Sequence, residues 1–120
     1  MFVRALCCKL KRNTLEKLRI LYAGNSTDKI TQAIDGGACL LDVRAKSEYN
    51  NGHVRGSVNI PLDDLSSSLP ELNPEQPIVV YCRSGMRSAQ AKRTLEKNGF
   101  ELVINGGNWE HINRIVQSLK

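Results

Sequence analysis

From Ser26 onward two hydrophobic patterns alternate along the chain: short continuous apolar runs, and apolar positions spaced by three and four. Ser26 or Thr27 is placed to cap a helix whose Ile30, Ala33 and Ile34 share one face, and Gly36-Gly37 ends it. The run ACLLDV, residues 38–43, predicts a short buried strand. SVNIP, residues 57–61, predicts a second strand stopped by its proline, and LDDLSSSLPEL predicts a short helix or turn. PIVVYC, residues 77–82, is the clearest strand, with adjacent β-branched residues bounded by Pro77. SAQAKRTLEKNG reads as a helix that starts near Arg87 or Ser88 and closes at Asn98-Gly99, and ELVIN reads as a strand. NWEHINRIVQSL places Trp109, Ile112, Val116 and Leu119 on one helical stripe. Continuous apolar strands separated by helices predict an α/β fold, a parallel sheet covered on both faces. Ligands of such sheets sit beyond the carboxyl ends of the strands, which directs attention to the loop after PIVVYC.

The 120 residues fit one ordinary domain, and 41% hydrophobic with 24% charged residues is a globular composition. Charge divides the chain. The first 20 residues carry six basic side chains against Glu16 alone, which accounts for the whole net charge of +5. The remainder is neutral, which argues against a nucleic-acid-binding body. Residues 1–24 therefore read as a basic N-terminal segment and 25–120 as the domain. The segment has no small-residue cleavage site after a proper apolar core, so a secretion signal is not expected. It reads as a solvated or docked helix, a transit-like segment, or a surface that contacts an anionic membrane through residues 1–20.

Four cysteines are present, Cys7, Cys8, Cys39 and Cys82. Their spacing matches no zinc pattern, Cys39 lies in an apolar run as a small core residue, and the set reads as free thiols of a reducing, cytoplasmic compartment.

Cys82 is different, because it ends a strand and is followed by RSGMR. Gly85 permits a tight positive-φ turn, and a short strand–loop–helix connection turns backbone N–H groups inward as an anion nest. The positive end of the following helix and the charges of Arg83 and Arg87 add to it. Each effect favours thiolate over thiol. Two reactions suit such a cradle. A phosphatase needs a proton donor for its leaving group, whereas a sulfurtransferase expels a stable anion such as sulfite. The loop contains no carboxylate and no histidine, which leans toward sulfur transfer.

The motifs LLDVR with Glu48 downstream, GHVRGSVNIPL, VVYCRSGMRS and GGNWEHI, in this order and spacing, resemble a single-domain rhodanese of the phage-shock or thiosulfate sulfurtransferase kind. The resemblance runs from about Ser26 to the C-terminus. It implies a rhodanese-like three-layer sandwich around a central five-stranded parallel sheet with helices on both faces. It implies Cys82 as persulfide carrier, with Arg83, Ser84, Gly85, Met86 and Arg87 as the cradle for substrate. In this family a six-residue loop goes with sulfur transfer, and related dual-specificity phosphatases of the cell-division-cycle type have one residue more; CRSGMR has six. The implied activity is transfer of sulfane sulfur from thiosulfate to cyanide or a thiol, with no metal or organic cofactor. The implied partners are a small anionic sulfur donor and a thiol acceptor, either a small thiol or a thioredoxin-like protein. A phosphatase or arsenate reductase using the same thiolate, and a non-catalytic rhodanese-like binding module, are the alternatives. The intact cysteine, glycine and arginines count against the binding module.

Asp42 and Arg44 follow the first strand and are expected on the same rim as Cys82, where the family comparison gives them a mainly structural, charge-pairing role. Arg83 and Arg87 are the stronger candidates for holding thiosulfate. His53 is expected to be a hydrogen-bonded turn residue, His111 to face solvent, and Trp109 to pack in the core or form one wall of the pocket. Ser88 is placed to cap the helix after the loop, and Met86 to shape access for the acceptor.

Overall fold

The computed structural model describes residues 26–119. The basic segment, with every role expected of it, lies outside them. The described chain begins with helix α1 (Ser26–Asp35), then strand β1 (Cys39–Asp42), a one-turn helix α2 (Lys46–Asn50) and strand β2 (Val58–Asn59). A 3₁₀ turn (Leu62–Asp64), helix α3 (Leu65–Ser68) and a second 3₁₀ turn (Leu69–Glu71) lead to β3 (Ile78–Cys82). Helix α4 (Met86–Lys97), strand β4 (Val103–Asn108) and helix α5 (Trp109–Ser118) complete it.

All strand pairs are parallel, in the order β2-β1-β3-β4. Side chains alternate across the sheet and separate two cores. Cys39, Leu41, Ile78, Val80 and Cys82 face one side, where α3 contributes Leu65 and α4 contributes Ala91 and Leu95. Leu40, Val79 and Tyr81 face the other, covered by Ile30 and Ala33 of α1 and Ile112 and Ile115 of α5. β3 lies in the middle and is buried at all five positions, which is why its sequence is an unbroken apolar run.

Several expectations are corrected. The resemblance implied five strands, and among the described residues the sheet has four. Those four correspond to the four apolar runs; the rest of the described chain forms helices, 3₁₀ turns and loops and offers no further run fit for burial on two faces. β4 occupies Val103–Asn108, later than ELVIN. It continues through two glycines because Gly106 passes close under its neighbours: a Cβ there would lie 2.8 Å from Ile112 Cδ1 and 2.9 Å from Val79 Cγ1. On α5 the buried positions are Ile112 and Ile115, while Val116 is half-buried and Leu119 exposed, so the stripe is rotated from the one expected. Helix α2 had no signal because it buries no residue. Cys39 is a core residue as expected but not a free thiol: it is disulfide-bonded.

Candidate active site

β3 delivers Cys82 as its last residue, with the side chain on the α4 face of the sheet. Arg83, Ser84 and Gly85 then reverse the chain into α4, and Gly85 makes the reversal with a left-handed φ of 97°. A side chain at Gly85 would be strained by that φ, and the backbone also passes close to Gly107. The result is a loop wrapped around sulfur. The Gly85 N–H donates to Sγ at 3.0 Å, and the N–H groups of Ser84 and Ser88 also turn toward it. The thiol lies 3.6 Å from the Ser88 hydroxyl, to which it donates.

Burial is the largest single influence on the Cys82 thiol and pushes its pKa up. Hydrogen bonds from the Ser88, Gly85 and Ser84 N–H groups, together with the contact to the Ser88 hydroxyl, outweigh it, so the pKa falls below the ordinary thiol value. The thiolate is thus favoured as expected, but by amides and Ser88 more than by the arginines.

Those arginines part company. Arg87 makes a two-pronged bond to Glu48 of α2, Nη1 to Oε1 at 2.7 Å and Nη2 to Oε2 at 3.1 Å. Arg83 is exposed and has no ion pair among the described residues. Asp42 and Arg44 sit at the end of β1 and pair with each other, with Arg44 Nη2 on Asp42 Oδ2 at 2.8 Å, and both are buried. Arg44 Nη2 also donates to the Gly52 carbonyl at 2.7 Å, and its guanidinium lies 4.5 Å from the centroid of the Trp109 ring. Trp109 takes both roles expected of it, packing on the second core and lining an open cleft of about 460 Å³. Arg44, Glu48, Arg83, Ser84 and Glu110 line the same cleft. Met86 is 78% exposed on the loop rim.

Other expectations changed with the fold. Ser88 does not cap α4; Gly85 occupies that position, and Ser88 lies inside the first turn beside the sulfur. Its partner Asn105, which accepts the Ser88 hydroxyl at 2.7 Å, carried no signal in the sequence. Glu48 was visible only as a motif residue; nothing local to it marked Arg87, 39 positions away, as its partner. His53 is a turn residue as expected: Nδ1 meets the Tyr49 carbonyl at 2.8 Å and the two rings stack. His111 is half-buried rather than fully solvent-facing.

The Arg87 guanidinium, assisted by the Ala45 N–H and opposed by partial burial, holds the Glu48 carboxyl down at about 2. A depressed carboxyl stabilises the fold above its unfolded pKa, and that stabilisation is lost as pH falls through the folded value. The pair's contribution is therefore complete above about pH 4.5 and withdrawn toward pH 2. Urea melts repeated across this range are expected to show wild type losing more stability on acidification than Glu48→Gln. Parallel losses would mean the pair contributes nothing to stability.

This fold and this loop belong to one family. The rhodanese-like domain model matches residues 26–112, and the chain is a member of that sulfur-transfer family. It is 42% identical over 82 residues to the putative sulfur carrier protein YrkF of Bacillus subtilis, an alignment covering 67% of this chain and 44% of that protein. It is 35% identical over 74 residues to the thiosulfate sulfurtransferase PspE of Escherichia coli, covering 60% of this chain and 71% of that one. Among solved structures, a rhodanese with anions from E. coli superposes with a TM-score of 0.55 at 32% identity, over 62% of this chain and 89% of its own. The chain spans about half the length of the first two curated relatives, 44% and 54%.

Proposed function

We propose that the domain is a sulfurtransferase in which Cys82 carries sulfane sulfur as a persulfide, taken from thiosulfate or a similar small anion. The observation that supports this most directly is the sulfur's surroundings: three backbone N–H groups and a hydroxyl converge on one thiol whose pKa they lower. The Cys82 thiolate attacks the outer sulfur of thiosulfate, the sulfur–sulfur bond of the donor breaks, and its electron pair leaves with sulfite. The product is Cys82–S–S⁻, an anion for which the same amides provide hydrogen bonds. Cyanide or an acceptor thiolate then takes the outer sulfur and regenerates the Cys82 thiolate, leaving thiocyanate or an acceptor persulfide.

Neither step needs a proton donor. Glu48, the carboxylate bonded to Arg87, is ionised and committed to that arginine, which suits a reaction without a general acid. An alkoxide leaving group would need that acid, so the phosphatase reading is less well served, and the six-residue loop agrees. Arg83, exposed at the mouth of the cleft, is the loop side chain placed to draw in the donor; Arg87 is held by Glu48. Cys82 has no exposed surface, so on this reading admission of the donor requires loop 83–87 to move. The cleft over Trp109 and Arg44 then receives the acceptor, a small thiol or a thiol-bearing loop of a thioredoxin-like protein.

The protein is incubated with thiosulfate, digested and weighed. One sulfur added to the peptide holding Cys82, released by cyanide as thiocyanate and blocked by prior alkylation, is the expected result. If neither adduct nor thiocyanate forms, the proposal fails, and turnover of an aryl phosphate would point to the phosphatase instead.

A further inference from the structure

Behind the cradle lies a hydrogen-bond chain that the reaction above does not use. The Cys82 thiol donates to Ser88 Oγ at 3.6 Å, and the Ser88 hydroxyl donates onward to Asn105 Oδ1 at 2.7 Å. Asn105 sits on β4, and its orientation is fixed from a second side: the Gly107 N–H, which can only donate, meets the same Oδ1 at 2.9 Å. Its Nδ2 faces the Gly85 carbonyl at 3.4 Å, a long contact.

A hydroxyl has one proton to give. While Cys82 is a thiol, Ser88 gives that proton to Asn105 and accepts from sulfur. When sulfur loses its proton it becomes an acceptor, and Ser88 can serve it only by turning its hydroxyl away from Asn105. That turn is cheap here because Asn105 Oδ1 keeps the Gly107 N–H and is not left unpaired. We infer that Asn105 is a positioning residue for Cys82: it competes with the sulfur for the Ser88 proton, and so sets how readily the thiolate forms. The lowered thiol pKa, to which the Ser88 N–H and hydroxyl contribute, agrees with Ser88 being the responsive group.

Other charges face the sulfur and must be kept constant. Arg87 on α4 interacts with Cys82 while bound to Glu48 of α2, and Arg83 is its chain neighbour. Asp42 and Arg44 at the end of β1 form a neutral pair, Glu110 of α5 lines the cleft, and β4 itself carries no charged side chain. Asn105 is therefore the place where a charge can be introduced on β4 directly behind Ser88.

The inference rests on Cys82 being the reactive thiol, but its test does not require sulfur transfer. The rate of alkylation by iodoacetamide is measured against pH; the midpoint of the profile reports the thiolate and the plateau reports access. Asn105→Asp gives Ser88 a stronger acceptor and is expected to move the midpoint up by about one unit, tenfold less thiolate at a fixed pH below it. Asn105→Ala removes the competitor without adding charge, and is expected to move the midpoint down. In a Ser88→Ala background both shifts are expected to fall to less than half. Equal shifts with and without Ser88 would mean that the Asp acts only through space, and would overturn the inference, as would an Asn105→Ala midpoint that does not move. A loss of thiosulfate activity with the shifts intact would count against the proposed reaction and leave the inference standing.

Discussion

Cys82→Ser takes up no sulfur from thiosulfate and forms no thiocyanate, while its far-ultraviolet spectrum and melting transition stay close to those of wild type. The chemical half of this expectation comes from the limits of what the loop can activate. Amides from Ser84, Gly85 and Ser88 lower the pKa of a thiol that ordinarily titrates at about pH 8.5. An alkanol is far less acidic, so the same donors leave serine protonated at neutral pH, and oxygen has no persulfide to offer. A loss of at least about a thousandfold is expected, the scale on which removal of a nucleophile is felt in other enzymes. The structural half comes from size and partners. Serine is slightly smaller than cysteine, and its oxygen inherits the Gly85 N–H and the Ser88 hydroxyl as partners. The cost of the small void and the polar atom is about 1 kcal/mol, and it leaves the fold intact. Mass spectrometry and thiocyanate colour after thiosulfate exposure check the first half, and circular dichroism the second. Sulfur uptake by a folded Cys82→Ser protein would move the carrier role to another residue.

Why was Cys82 legible in the sequence when its closest collaborators were not? β3 is buried at every position, so it had to be written as IVVYC, and Gly85 had to supply a left-handed turn that other residues avoid. Both are local requirements, and a local requirement leaves a mark on a few adjacent letters. Ser88 and Asn105 meet only because α4 packs on β4, and a serine or an asparagine is ordinary in either place. Glu48 and Arg87 are 39 positions apart, and the short helix carrying Glu48 buries nothing, so no stripe announced it. The charge on the loop was read correctly but assigned too simply. Arg87 is largely spoken for by Glu48, and the lowering of the Cys82 pKa comes from backbone N–H groups, whose direction no side-chain pattern encodes, and from Ser88. The expected fifth strand came from resemblance alone; the apolar runs themselves marked four.

Asp42→Ala is expected to be among the most destabilising single changes in the domain, at about 3–5 kcal/mol. Asp42 has no exposed surface, and its carboxylate accepts from the Arg44 N–H at 2.9 Å, from Nε at 3.0 and 2.9 Å, and from Nη2 at 2.8 Å. The carbonyls of Asp42 and Arg44 are in turn held by Asn59 Nδ2 of β2, which fixes the strand end that carries the pair. Alanine leaves a guanidinium that is 3% exposed with one carbonyl, that of Gly52, as its remaining hydrogen-bond partner. Desolvation that the carboxylate had compensated is then opposed by no direct ion-pair partner; the remaining opposite charge acting on Arg44 is Glu48, which is itself bonded to Arg87. Reorientation of Arg44 into the cleft is the available relief, and it would strip the cation from the face of Trp109. The penalty comes from the orphaned charge rather than from the missing bonds, so removing both charges together is expected to cost less. Asp42→Ala with Arg44→Met should recover at least half of the single-mutant loss, since methionine restores much of the arginine stem's packing. Urea denaturation with an unchanged m-value measures both variants. A single-mutant loss below about 1 kcal/mol would mean the pair behaves as an exposed one, contrary to its burial. A double mutant worse than the single would place the energy in the pair itself, and Arg44 would then owe its position at the cleft to Asp42's attraction rather than to avoidance of a buried, unpaired charge.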